Sequence, residues 1–135
     1  MEIVHRSVWV TLERHDDKKL LVYRRSEVPF PSNDEMSAAF AALGDSLKGV
    51  HLEDWRLLLD TRLGPMRNDE AFEKAMKPYR TGFTARFART ATLVKTAVGK
   101  LQIARLAREE HREPHAFDDE AEAIAYLVGA EKKSP

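Results

Sequence analysis

Six residues able to carry charge or exchange hydrogen bonds gather in one short stretch: Asp60, Thr61, Arg62, Arg67, Asn68 and Asp69. Two carboxylates, a hydroxyl, an amide and two guanidiniums suit recognition, because a planar guanidinium grips a carboxylate through paired hydrogen bonds. The stretch follows an apolar run read below as a central strand, and open α/β sheets place ligands beyond the carboxyl ends of such strands. The plainer alternative is an ordinary polar loop in which Asp69 marks a helix start. No spacing matches a nucleophile elbow, a phosphate-binding Gly-Lys-Ser/Thr loop or a dinucleotide Gly-x-Gly-x-x-Gly.

The remaining reactive types do not assemble. His5, His15, His51, His111 and His115 are scattered. His111 and His115 are four apart, but Pro114 interrupts the regular helix that would aim both at one metal. No carboxylate pair stands in an acid/base motif; Asp118 and Asp119 read as helix caps. There are no cysteines, hence no disulfide framework, thiolate site or cysteine nucleophile. No enzyme activity, metal or cofactor is expected.

Charge is balanced overall and uneven locally. The chain has 22 basic and 22 acidic residues. Lys77, Arg80, Arg86, Arg89, Lys95, Lys100, Arg105 and Arg108 follow one another with no acid between them. Lys95, Lys100 and Arg105 are the candidate anion-binding residues of that stretch, and the asymmetry points to an acidic partner. Tyr79, Phe83 and Phe87 interleave with the basic residues as nucleic-acid binders require. Tyr79 and Phe83 fall on an apolar stripe, however, so they read as core, and no nucleic-acid partner is expected. The basic side chains are expected to pair with acids of the hairpin and the last helix.

At 135 residues, 43% hydrophobic and 33% charged, the chain reads as one soluble globular domain over residues 1–130, with a polar tail at 131–135. The start "MEIVHRSVWV" lacks the pattern of a signal peptide. No apolar run approaches the ~20 residues that span a bilayer. A cytoplasmic location is expected.

These side chains need elements to position them. Val8, Val10 and Leu12 alternate with Ser7, Trp9, Thr11 and Glu13, the period of a half-buried strand. His15–Lys18 supplies a turn, and Leu20–Arg24 the second arm of a hairpin, placed at or near a sheet edge by its flanking charges. Ser32 and Glu35 have capping-box spacing. Met36, Phe40, Leu43 and Leu47 then form one helical stripe, and Gly49 is a stop. Asp54–Arg62 is a short apolar run suited to a central strand covered on both faces. Phe72, Met76, Tyr79 and Phe83 make a second stripe running through Pro78 in phase, which predicts one helix kinked there.

Phe87–Thr96 is the next strand. Gly99 then sits inside a helical pattern, where it costs roughly 1 kcal/mol relative to alanine; close packing and a frayed first turn both account for it. Val98, Leu101, Ile103, Ala104, Leu106 and Ala107 spread over more of this helix than one stripe needs. The surplus is available to a partner or a second subunit, but the favoured reading buries it within the monomer. Pro114–Phe117 is a short last strand. Asp118 or Asp119 caps the last helix, whose buried face is Ala121, Ile124, Leu127 and Val128.

The element order predicts an α/β fold: a small mixed sheet of about five strands, an N-terminal hairpin followed by alternating strands and helices, with four helices. That order, with the texture of "LLLDTRLGPMRND" and "FARTATLVKTAVGKLQIARLAREE…AFDDEAEAIAYL", resembles the STAS (anti-sigma-factor antagonist) family over nearly the whole chain. It also resembles the related SEC-type (CRAL-TRIO) lipid-binding grouping. The STAS resemblance implies a bacterial, non-catalytic domain that regulates by protein–protein contact. In phosphorylatable members, a serine in an Asp-Ser-(Ser/Thr)-Gly type motif accepts phosphate where the central strand's loop meets the next helix. The matching stretch here is "PMRNDEAF", with Asn68 and Asp69 in place of the hydroxyls. The switch by a serine kinase is therefore not expected, and Asp69 imitates a phosphate only crudely.

The expected function is that of a regulatory or scaffold domain acting through the loop Asp60–Asp69 and the adjoining helix. The alternative is a small-molecule or lipid carrier with an apolar cavity beside the basic residues.

Overall fold

Leucines run without alternation through the middle of the chain because the sheet is covered on both faces. The computed structural model describes residues 1–65, 69–111 and 115–129. Its strands are β1 (Glu2–Arg6), β2 (Val10–His15), β3 (Leu20–Arg25), β4 (Arg56–Asp60), β5 (Arg89–Leu93) and β6 (Ala116–Phe117). They lie in one sheet in chain order. β1, β2 and β3 pair antiparallel; β3, β4, β5 and β6 pair parallel. The helices are α1 (Asn33–Asp45), α2 (Glu70–Pro78), α3 (Ala97–Glu109) and α4 (Glu120–Ile124).

Side chains on a strand alternate between faces, and two cores result. Leu12, Leu21, Tyr23 and Leu57 share one face with Leu43 of α1 and with Leu47, Trp55 and Phe87. Leu20, Val22, Leu58, Ala91 and Leu93 share the other with Ala123 and Leu127. Leu21, Leu58, Leu93 and Leu127 are fully buried. Gln102 and Arg105 of α3 reach Glu73 of α2, so α3 lies beside α2. Strand order advancing in one direction requires this when crossovers share the usual right hand.

Several expectations need correction. The sheet has six strands, since Glu2–Arg6 adds an edge strand. Its register shifts between Ile3 and His5, and such an irregularity erases the alternation that would announce it. Val8 is 59% exposed in the turn between β1 and β2, so the second strand starts at Val10. β3 is an interior strand paired on both sides; the charges flanking it cap its ends and do not mark an edge. β4 and β5 are shorter than the predicted runs, though Ala88 and Val94 still donate to the Trp55 and Phe117 carbonyls, and Leu52–Asp54 forms a short 3₁₀ turn ahead of β4.

The helix starts follow their caps. The Glu35 amide donates to Ser32 Oγ at 3.1 Å, the Phe72 amide to Asp69 Oδ2 at 3.1 Å, and the Ala121 amide to Asp119 Oδ1 at 2.8 Å. Gly49 has φ +87° and closes the turn that follows α1. The Phe72–Phe83 segment is helical throughout, as the stripe predicts. Proline has no N–H to return to the preceding turn, and five residues of wider π-type helix, Tyr79–Phe83, follow Pro78. The hydroxyls of Thr81 and Thr84 donate to the Lys77 and Arg80 carbonyls there. Tyr79 stacks on Phe40 with ring centroids 4.6 Å apart, tying the segment to α1.

The last helix also widens, over Ala125–Gly129. Its buried face is therefore Ala123 and Leu127, with Ile124 and Val128 packed beside them, and Ala121 is exposed. Gly99 lies in a capped first turn, its amide donating to Thr96 Oγ1 at 3.0 Å. A Cβ there would stand 3.2 Å from that of Val94, which identifies close packing as its role. Among the described residues no helix is long and apolar enough to cross a membrane. Residues 130–135, which include the expected tail, lie outside the described part, as does Pro114.

Candidate functional site

The carboxyl ends of β3 and β4 hold most of the chemistry predicted from sequence. Alternation puts Arg24 on the same face as Leu20 and Val22, and Asp60 on the same face as Leu58. The apolar core of that face therefore ends in a charged pair. Arg24 Nη1 donates to Asp60 Oδ2 at 2.7 Å and to Glu120 Oε1 at 2.9 Å. Arg24 Nε donates to Glu13 Oε2 at 2.7 Å. Arg62 closes the ring from above: its Nε donates to Asp60 Oδ1 at 3.0 Å, and its Nη2 to Asp60 Oδ2 and Glu120 Oε1, each at 2.9 Å. Three carboxylates from β2, β4 and α4 thus share two guanidiniums.

Electrostatics fix the protonation of this cluster. Burial pushes the Asp60 carboxyl up, but hydrogen bonds from Arg62 and Arg24 outweigh it and hold the group below its ordinary value. Hydrogen bonding from Arg24 likewise holds Glu120 low. The Arg24 guanidinium is raised by its bond to Glu120, and Arg62 by its bond to Asp60. Asp60 and Glu120 are thus held away from the near-neutral range in which a general acid or base works. The cluster's chemistry is to clamp α4 onto β3 and β4.

The predicted loop residues fare differently from one another. Asp60 and Arg62 belong to the clamp. Thr61 donates its hydroxyl to the Leu93 carbonyl at 2.9 Å. Asp69 caps α2 and is exposed. Arg67 and Asn68 lie outside the described residues. Sequence spacing gave no sign of Arg24, Glu13 or Glu120, because the clamp joins residues 96 positions apart in the chain. The strand alternation of Leu20, Val22 and Arg24 was the one available signal.

The anion-binding candidates are similarly divided. Arg105 pairs with Glu73 and Glu109, and Lys100 with Asp118. Arg80 of the same basic stretch pairs with Glu110 at 3.0 Å. Among the described residues the compensating acids thus come from α2, the end of α3 and, as expected, the start of the last helix at Asp118, and none from the hairpin. Lys95 is exposed just ahead of α3.

The apolar surplus of α3 is only partly absorbed by the monomer. Leu106 and Ala107 are buried, but Val98 is 63% and Leu101 70% exposed. The expectation that the fold would bury them is overturned: α3 turns Gly99 toward Val94, and this sends the side chains at 98 and 101 outward. Leu63, on the loop after β4, is 65% exposed. The amide of Thr61 donates to the Leu93 carbonyl, so this loop and the approach to α3 leave the sheet side by side.

Beneath α1, the cavity bordered by His5, Tyr23 and Phe40 holds about 10 Å³. That is no more than one water requires. Among the described residues no group of three or more histidines and carboxylates is placed to hold a metal ion.

No protein-family model and no curated protein matches the chain. A solved structure does: an uncharacterized protein from the DUF3478 family with a SpoIIAA-like fold, from Shewanella loihica PV-4. The TM-score is 0.58 at 17% identity, over 87% of this chain and 91% of that one. The chain has a SpoIIAA-like, STAS-like fold. At that identity the likeness speaks for architecture: a mixed sheet with helices on both faces. In this SpoIIAA-like chain, the loop after β4 carries an exposed leucine, Leu63, and a clamped arginine, Arg62.

Proposed function

We propose that the chain is a non-catalytic regulatory or scaffold domain that works by protein–protein contact at the carboxyl ends of β4 and β5. One observation carries the reading. Leu63, Val98 and Leu101 are exposed on the two segments that leave those neighbouring strand ends. Val98 and Leu101 are three apart on α3 and so share a face. Apolar side chains held out at the ligand-binding end of an α/β sheet suit an interaction surface. Lys95 adds positive charge beside them, which favours a partner presenting acids around an apolar centre. The clamp below keeps the loop base rigid, so a partner meets a preformed surface. The STAS-like fold is one on which binding domains are built, and this supports the reading only by analogy.

The test places a photo-crosslinking amino acid at position 63, 101 or 17 in the native host. Position 17 is exposed in the turn between β2 and β3, at the opposite end of the sheet. Discrete adducts from positions 63 and 101, absent from position 17, are expected. Adducts that prove to be two copies of this chain would replace an external partner with a homodimer. Adducts from position 17 alone would remove this surface from consideration.

A further inference from the structure

A second concavity opens at the other end of β5, away from the proposed docking surface. It is a solvent-open groove of about 460 Å³, within the size range of small-molecule sites. Strand β5 forms its floor, the helical segment after Pro78 one wall, and Ile103 of α3 with His115 and Tyr126 the other. Its amino-acid content is unusual for an idle surface. Among its described lining residues there is no carboxylate, and there are two arginines.

The two arginines differ. Arg80 is neutralised by Glu110 and also donates to the Glu73 carbonyl. Arg89 has no carboxylate or other hydrogen-bond acceptor among the described residues, and its guanidinium lies over the Tyr126 ring, 5.0 Å from the centroid. The His115 ring stacks on the same tyrosine at 4.6 Å. A guanidinium placed over an aromatic ring is attracted to its face and keeps its N–H donors for an anion. Thr92 also borders the groove, and a threonine hydroxyl both donates and accepts. A cation without a counter-ion among the described residues therefore stands beside stacked aromatic rings and an isoleucine.

We propose that this groove binds a small organic anion, one carboxylate or phosphate group on a compact planar apolar body. The oxyanion pairs with Arg89 and the body lies against Ile103 and the His115–Tyr126 stack. Bidentate pairing with a guanidinium is the strongest polar contact the groove offers, and the apolar body takes the share of affinity that burial provides. The inference stands apart from the protein-docking reading, since it uses none of the same residues.

Four probes separate the parts of the proposal: benzoate, phenyl phosphate, neutral benzamide and acetate. Each is titrated into the ¹⁵N,¹³C-labelled protein while the Arg89 side-chain Nε–H and the His115 and Tyr126 ring signals are followed. Benzoate or phenyl phosphate is expected to shift these signals saturably, at least about tenfold more tightly than benzamide or acetate, because each control lacks one of the two contacts. The tighter of the two anions identifies the headgroup. Arg89→Gln is expected to remove that preference for the anions, and Arg89→Lys to restore part of it. Benzoate and phenyl phosphate binding no better than acetate, or anion binding unchanged in Arg89→Gln, overturns the proposal. The four-probe comparison on the unaltered protein decides the matter even where a variant does not fold.

Discussion

Arg24 and Asp60 stand opposite each other in register on the parallel strands β3 and β4, and their side chains meet at 2.7 Å. Arg62 and Glu120 complete the ring around them. Asp60 and Glu120 both have folded-state values below their ordinary ones, Asp60 because its arginine bonds outweigh burial and Glu120 through Arg24. The stability they contribute is therefore fully present above their unfolded values, about pH 4, and is lost as the pH falls through the folded values. Thermal melts between pH 7 and pH 2.5 are expected to show a steep acid loss. Asp60→Asn is expected to cost about 2–3 kcal/mol at neutral pH and to flatten that loss. An unchanged acid slope in the variant would mean that the clamp does not govern acid stability.

Arg62→Ala tests the clamp from its outer side. The sequence alone placed Arg62 in a loop, where an arginine contributes little to folding. Its three bonds to Asp60 and Glu120 change the expectation to a loss of about 1 kcal/mol, limited by solvent screening of a side chain that is 37% exposed. Chemical denaturation is the measurement, and a midpoint identical to the parent would return Arg62 to the loop.

The two apolar faces predict a graded response to truncation. Leu58 is fully buried between β3, β5 and α4, whereas Ile124 is only packed against that core. Leu58→Ala is expected to cost about 2–5 kcal/mol and Ile124→Ala distinctly less, because the second site can collapse toward solvent. Equal losses in denaturant melts would show that α4 is packed more deeply than described.

Much of this architecture is legible in residue patterns, and the illegible part has physical causes. Caps were readable because Ser32, Asp69 and Asp119 act on amides two or three residues away. The stripe through Pro78 kept its phase because the π-type segment preserves the inward direction of Tyr79 and Phe83 while absorbing the missing bond. β1 was hidden by its register shift. The exposure of Val98 and Leu101 was hidden because only the approach of Gly99 to Val94 sets the rotation of α3. The clamp and the groove unite residues from remote segments, and no local window contains them.

Gly99 and Val94 offer a test of that rotation. Gly99→Ala gains up to about 1 kcal/mol of helix propensity. It also brings a Cβ to 3.2 Å from that of Val94. The substitution is expected to be close to neutral in the parent and stabilising in a Val94→Ala background. A double-mutant cycle measures the coupling, and independent effects at the two sites would contradict the described contact.

Thr61 is the hydroxyl nearest in sequence to Asn68 and Asp69, the stretch that resembles the phosphorylated motif of STAS proteins. Its bond to the Leu93 carbonyl holds it between two strand ends. Phosphopeptide mapping from the native host is expected to show no stoichiometric phosphate there. Full occupancy would instead make the junction of β4 and β5 a switch.

Because the strands lie side by side in the order in which they occur in the chain, the sheet can grow as the polypeptide leaves the ribosome. Each new strand finds its final neighbour already present, and none has to wedge between two that have paired. Loop-closure entropy is lost one crossover at a time. The face lined by Leu20, Val22 and Leu58 is the exception, since Ala123 and Leu127 cover it from the last helix. A nascent chain halted before Ala123 would display that leucine-rich face to solvent. Arrival of α4 is thus what shields it from aggregation.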